Sequence, residues 1–196
     1  CLKYLEGMFS IVIHTKNQGT FLARDRFGIK PLFYTTNSAS GIYFSSELKS
    51  LKHLVDCNQI NLQSFSEYLY FGSRISNRNS FYSEIDLIPP GHFLCIKENK
   101  QFIKEWWSID DWIGNYQNND DLEDYLESSL SSQLVSDVPI GLLLSGGLDS
   151  SLLAALLPRE GFETIFANFN SKEDTNEIDK AKKISELFKH NFTPIP

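Results

Sequence analysis

The stretch at residues 140–151, Ile-Gly-Leu-Leu-Leu-Ser-Gly-Gly-Leu-Asp-Ser-Ser, constrains the fold more than any other part of the chain. An apolar run that reads as a buried strand passes through Ser145 into two glycines, and Asp149 then opens a helical pattern. A strand, a glycine turn and a helix N-terminus in that order aim several backbone N–H groups and the positive end of the helix dipole at one point. The hydroxyls of Ser145, Ser150 and Ser151 add donors around it, so a pyrophosphate or triphosphate fits better than a single carboxylate. Asp149 suits such a place only with a divalent cation between it and the phosphates, and magnesium is the expected ion. The spacing lacks the Gly-Lys-Ser/Thr of a P-loop and the Gly-x-Gly-x-x-Gly of a dinucleotide fold. A bare Ser-Gly-Gly is more often a mere strand-to-helix turn; the whole string through Ser151 is what points to phosphate.

Around this loop the second part of the chain reads α-β-α-β-α. A helix carries Leu122, Tyr125, Leu126, Leu130 and Leu134 behind an Asn or Asp cap, and strands are expected at 140–145 and 164–169. A helix follows the loop at 149–157, and a last one has Ile178, Ala181, Ile184, Leu187 and Phe188 on one face. That order is the start of a parallel, doubly wound sheet. Two strands make too small a sheet to bury both faces well.

The first part reads differently. Residues 7–14 and 20–24 form one β-hairpin around Asn17-Gln18-Gly19, residues 32–36 and 42–46 a second, and residues 93–97 and 101–107 a third. Helices are expected at 47–52 and 62–71, the latter with Leu62, Phe65 and Leu69 on a stripe read as core rather than as a cofactor surface. Between the first two hairpins, Arg24 to Pro31 reads as a structured bend carrying an ion-pair network, with direct ligand binding as the lesser reading. His92, after Pro89-Pro90-Gly91, has no carboxylate or thiol companion and reads as a turn residue. The fold class is therefore α+β followed by α/β, with domains at 1–113 and 120–196 and a polar linker at 114–119.

The net charge of −7 and the lack of a basic run exclude nucleic acid and anionic membranes as main partners. No apolar segment reaches the roughly 18 residues of a membrane span, and no signal peptide is recognisable. Cys1, Cys57 and Cys95 are odd in number and far apart, and Cys57 and Cys95 read as reduced thiols in a cytoplasmic protein.

Residues 145–151 resemble the pyrophosphate loop of the ATP-pyrophosphatase superfamily, and Ser136-Asp-Val-Pro-Ile-Gly-Leu-Leu-Leu144 before it is similar to the glutamine-dependent asparagine synthetase family. Leu5-Glu-Gly-Met-Phe-Ser10, the run from Leu22 to Tyr34, Phe44-Ser-Ser-Glu-Leu-Lys49 and Ile88-Pro-Pro-Gly-His92 resemble the later part of that family's N-terminal-nucleophile glutaminase domain. The resemblance implies a partial antiparallel glutaminase domain followed by the start of an ATP-pyrophosphatase domain. It implies an ATP- and Mg2+-dependent ligase that draws ammonia from glutamine and activates aspartate as an adenylate, releasing AMP and pyrophosphate. On that basis Ser145, Gly146, Gly147, Leu148, Asp149, Ser150 and Ser151 hold the ATP phosphates, Asp149 serves as the magnesium ligand, and Leu143 and Ala167 lie near the adenine. The partners implied are small molecules (ATP, aspartate and glutamine), with a homodimer left open.

Two departures matter. The family's glutaminase nucleophile is an N-terminal cysteine, but Cys1 stands six residues before Gly7 and aligns with ordinary chain, so it is not that nucleophile. The expected aspartate contacts do not fit in the six residues after His190, so the chain reads as a fragment lacking both ends, inactive alone. A relative acting on a sugar or peptide acceptor, or a non-catalytic remnant, are the alternatives.

Overall fold

The computed structural model describes residues 1–37, 41–73, 75–76, 78–98, 100–111, 113, 121–157, 163–167 and 175–195, of which 37, 163–167, 175 and 176 are described by backbone alone. The linker expected at 114–119 and the strand end expected at 168–169 lie outside them. The chain divides into two compact units, Cys1–Tyr116 and Gln117–Pro196.

In the first unit, strands β1 (Ser10–Thr15), β2 (Gly19–Arg24), β6 (His92–Lys97) and β7 (Lys100–Glu105) form an antiparallel sheet in the order β1-β2-β6-β7. A second antiparallel sheet contains β3 (Phe33–Asn37) between β4 (Gly41–Ser45) and β5 (Asp86–Leu87). Period-two alternation distributes the apolar side chains between layers. Tyr34 joins Leu22, Leu32, Ile88 and Leu94 in one core, whereas its neighbour Phe33 turns to Leu51, Ile85 and Leu87. The first cluster joins residues of both sheets; the second brings in helix α1 (Leu48–Lys52). Helix α2 (Leu62–Phe71) begins at Asn61, whose side chain accepts the Ser64 amide, and ends at Gly72 in the left-handed region. Its stripe is not core: Leu62 is 75% and Leu69 68% exposed, with Phe65 also outside. Period 3.6 alone shows that a helix has an apolar side, not that anything covers it.

In the second unit, helix α3 (Leu122–Gln133) starts at the Asp121 cap, and strands β8 (Gly141–Leu143), β9 (Glu163–Ala167) and β10 (Asn191–Ile195) are parallel in the order β10-β9-β8. Helices α4 (Leu148–Leu156) and α5 (Thr175–Phe188) connect them in turn. The sheet thus has three strands where the sequence suggested two, the third lying in the last residues of the chain. The three advance in one direction, so the reversal of strand order that defines a doubly wound sheet does not occur within them. Nor is the run at 140–145 buried throughout: Leu144 is covered by Ala154 and Ala181, but Leu143 is 68% exposed. Leu187, expected on the apolar face of the last helix, is exposed too.

Candidate functional site

The turn after β8 is built by two glycines with different jobs. Gly146 takes φ +78°, a left-handed backbone that an L side chain adopts at a cost. A Cβ there would stand 2.8 Å from Lys180 Cβ and 3.1 Å from the Ala181 amide nitrogen, so the loop rests directly on α5. Gly147, with φ −76° and ψ 169°, is the N-cap of α4 and offers no side chain to cap it. The amides of the first turn, from Leu148 onward, therefore have no side-chain cap, and the dipole of a nine-residue helix adds to their field.

Hydroxyls surround that opening. Ser145 Oγ and Ser150 Oγ lie 3.0 Å apart, Ser150 Oγ accepts the Ser145 amide at 3.3 Å, and Ser145 Oγ accepts the Gly147 amide at 3.3 Å. Ser151 Oγ donates to the Gly147 carbonyl at 2.6 Å, which fixes the cap. The contacts at 3.3 Å are long for hydrogen bonds, so an anion that takes those donors displaces little. Asp149 is exposed in the first helical turn, where a carboxylate also gains from the dipole with no ligand at all. Leu148 is 85% exposed beside it. Leu143 ends β8 and Ala167 ends β9, with Leu143 paired to Ile165. The structure thus brings Ser145 to Ser151 into one exposed turn and sets Leu143 and Ala167 at the same ends of two adjacent parallel strands.

The other candidates are structural. At the bend after β2, Asp25 is buried, and its carboxylate accepts the amides of Phe27 at 3.2 Å, Ile29 at 3.0 Å and Lys30 at 3.0 Å. Arg24 donates to the carbonyls of Lys30, Ile88 and Gly28. Both charges make charge-assisted bonds to backbone groups, of the bend itself and, for Arg24, also of Ile88, which is the structural reading of this run. His92 Nδ1 sits 2.7 Å from the Pro90 carbonyl, as a turn residue should. Cys1 is exposed, and its carbonyl accepts the Tyr4 amide in a short 3-10 turn. Burial and then the Glu84 carboxylate push the Cys57 thiol up, away from the thiolate a nucleophile needs. Among the described residues no three His, Cys, Asp or Glu side chains gather to hold a metal ion. No helix among them is long and apolar enough to cross a membrane.

Sequence reasoning missed what supports the loop. Its contact with α5 and the tie between α4 and His190, whose Nε2 lies 2.9 Å from the Ala154 carbonyl, have no local pattern to announce them. The Ser145–Ser150 pair had a signal, two hydroxyls five residues apart across the glycines.

Comparison with known proteins assigns each part to a described family. Residues 1–107 match the model of the glutamine amidotransferase domain, and residues 121–193 match that of asparagine synthase. The glutamine-hydrolysing asparagine synthetase 2 of Bacillus subtilis is 37% identical over 191 residues, covering 89% of this chain and 25% of the relative. Asparagine synthetase B of Escherichia coli is 31% identical over 153 residues, covering 78% of this chain and 23% of the relative. Asparagine synthetase 1 of Saccharomyces cerevisiae is 34% identical over 167 residues, covering 81% and 24%. The chain spans about a quarter of the length of these curated relatives.

Proposed function

Because the chain belongs to the glutamine-hydrolysing asparagine synthetase family, a family of ligases, we propose that the turn at residues 145–151 holds the phosphates of ATP during amide formation. The observation that carries this reading is the turn itself: a left-handed glycine, an N-cap without a side chain and two hydroxyls 3.0 Å apart at the start of α4. Those donors are fixed before any ligand arrives, so they stabilise charge developing on a departing pyrophosphate without first reorganising.

Ser145, Gly146, Gly147, Leu148, Asp149, Ser150 and Ser151 form the cradle, and Leu143 and Ala167 flank the base. Asp149 is one carboxylate, and magnesium characteristically takes one or two together with substrate phosphates, so the donor set fits the ion only as part of a nucleotide complex. In the whole reaction, ammonia from glutamine displaces AMP from an aspartyl adenylate, with pyrophosphate released in the first step. Residues 1–113 correspond on this account to the later part of a glutaminase-type domain and residues 120–196 to the early part of a synthetase domain; the matches over 1–107 and 121–193 support the division. The glutaminase nucleophile is not assigned to Cys1. The test is equilibrium dialysis of the chain against radiolabelled ATP with Mg2+, with unlabelled pyrophosphate as competitor. Displacement of the label by pyrophosphate is expected; retention of all label at saturating pyrophosphate contradicts a phosphate-directed site.

A further inference from the structure

The carbonyl of Ala154 has a vacancy written in the sequence. As a last-turn carbonyl of α4, which stops at Leu156 with Leu157 extended, it has no helical donor from the next turn, and residue 158 is a proline with no N–H to offer. Ala154 is fully buried, so water cannot supply the missing donor. His190, from beyond the end of α5, does so: its Nε2 lies 2.9 Å from the Ala154 carbonyl. A carbonyl only accepts, so the ring carries its proton on Nε2. Nδ1 is buried with no partner among the described residues, which leaves that single donation as the ring's polar contact. His190 is itself bound to α5, its amide donating to the Ser185 carbonyl at 3.0 Å and its carbonyl accepting the Ser185 hydroxyl at 2.8 Å.

The residue therefore ties the last turn of α4 to α5, and the loop depends on both helices. Gly147 caps α4, and Gly146 lies against α5 at Lys180 and Ala181. Ala154 and Ala181, both fully buried, join Leu144 in the core between them. Small residues there allow close approach, and a shift of one helix against the other moves the two glycines apart. We infer that His190 is a positioning residue for the loop at 145–151, acting through α4. This rests on the phosphate-binding reading of the loop.

Two variants test this: His190→Leu removes the donor, and His190→Gln returns an N–H near the place of Nε2. Each is compared with the unaltered chain by calorimetric titration with ATP and Mg2+ at a temperature where circular dichroism shows it folded, and by hydrogen exchange at residues 148–151. His190→Leu is expected to weaken binding about tenfold, the equivalent of one buried hydrogen bond, and to speed exchange at the loop. His190→Gln is expected to bind and exchange like the parent. Parental binding and parental exchange in a folded His190→Leu overturn the inference. If the unaltered chain binds no ATP, the phosphate reading fails, and the exchange comparison still decides whether His190 holds the loop.

Discussion

Gly146 and Ala181 meet with no room between them: a methyl group on residue 146 would stand 3.1 Å from the Ala181 amide nitrogen. The loop is thus shaped from behind by α5 as well as by its own sequence. Gly146→Ala should destabilise the second unit by about 1–3 kcal/mol, combining the left-handed backbone with a clash against backbone. Gly147→Ala, at φ −76° and 3.3 Å from only the flexible Ser145 hydroxyl, should cost less than about 1 kcal/mol. Urea unfolding of the two variants checks the contrast; equal losses would mean α5 is not what demands glycine at 146.

Asp25 is the keystone of the first unit. Its buried carboxylate satisfies three amides, its carbonyl accepts those of Gly28 and Gly91, and its own amide donates to Phe9. Asp25→Ala should cost about 3–5 kcal/mol, since it leaves three part-buried amides without their acceptor at once. Asp25→Asn, which keeps one acceptor, should fall between the two. Denaturant midpoints of the three proteins provide the measure, and a loss below 1 kcal/mol in Asp25→Ala would show that the bend is held elsewhere.

Tyr34 and Asp86 make stability respond to pH at both ends of the scale. Burial, then the Asp86 charge, raises the Tyr34 phenol from 10.0 to about 12. The fold therefore favours the neutral phenol, and its contribution is present below pH 10 and lost between pH 10 and 12. Burial also raises the Asp86 carboxyl, against the pull of Arg78 and of the Tyr34 hydroxyl at 3.3 Å. The fold binds that proton more readily than the open chain, so this group adds stability as pH falls through its raised value. Melting curves from pH 2 to 12 should show a shallower alkaline decline in Tyr34→Phe. Asp86→Asn should gain over the parent at pH 7 and converge with it below pH 4. An unchanged alkaline limb in Tyr34→Phe would contradict the assignment.

Lys189 ends α5 at φ +61°, where glycine is favoured, while the His190 amide closes the helix onto the Ser185 carbonyl. Lys189→Gly should stabilise the second unit by about 1 kcal/mol. A lower midpoint in thermal unfolding would mean that the lysine side chain makes a compensating contact.

The elements were legible because their signals are local. Apolar runs bounded by turn residues marked the three β-hairpins, an Asn or Asp cap marked the start of α3, and the glycines marked the turn at 146–147. What lay on either side of each element was not legible. The stripe of α2 looks the same in sequence whether covered or exposed, and Leu143 continues an apolar run although its side chain faces out. Residues 191–195, with a proline at 194, gave no alternating pattern, and they become a strand because β9 offers them an edge. Of the candidate site, the string from Ser145 to Ser151 was readable in full. Its support was not, since Ala181, Ser185 and His190 reach it only through the crossing of two helices.

The central claim is that the turn at 145–151 is a phosphate site, and calorimetric titration of the chain with ATP and Mg2+ tests it most directly. Asp149→Ala and Ser150→Ala are run beside the parent. The account predicts measurable binding by the parent and at least about a tenfold loss in each variant, as for removal of one charge-assisted contact. Identical heats for all three proteins would contradict it.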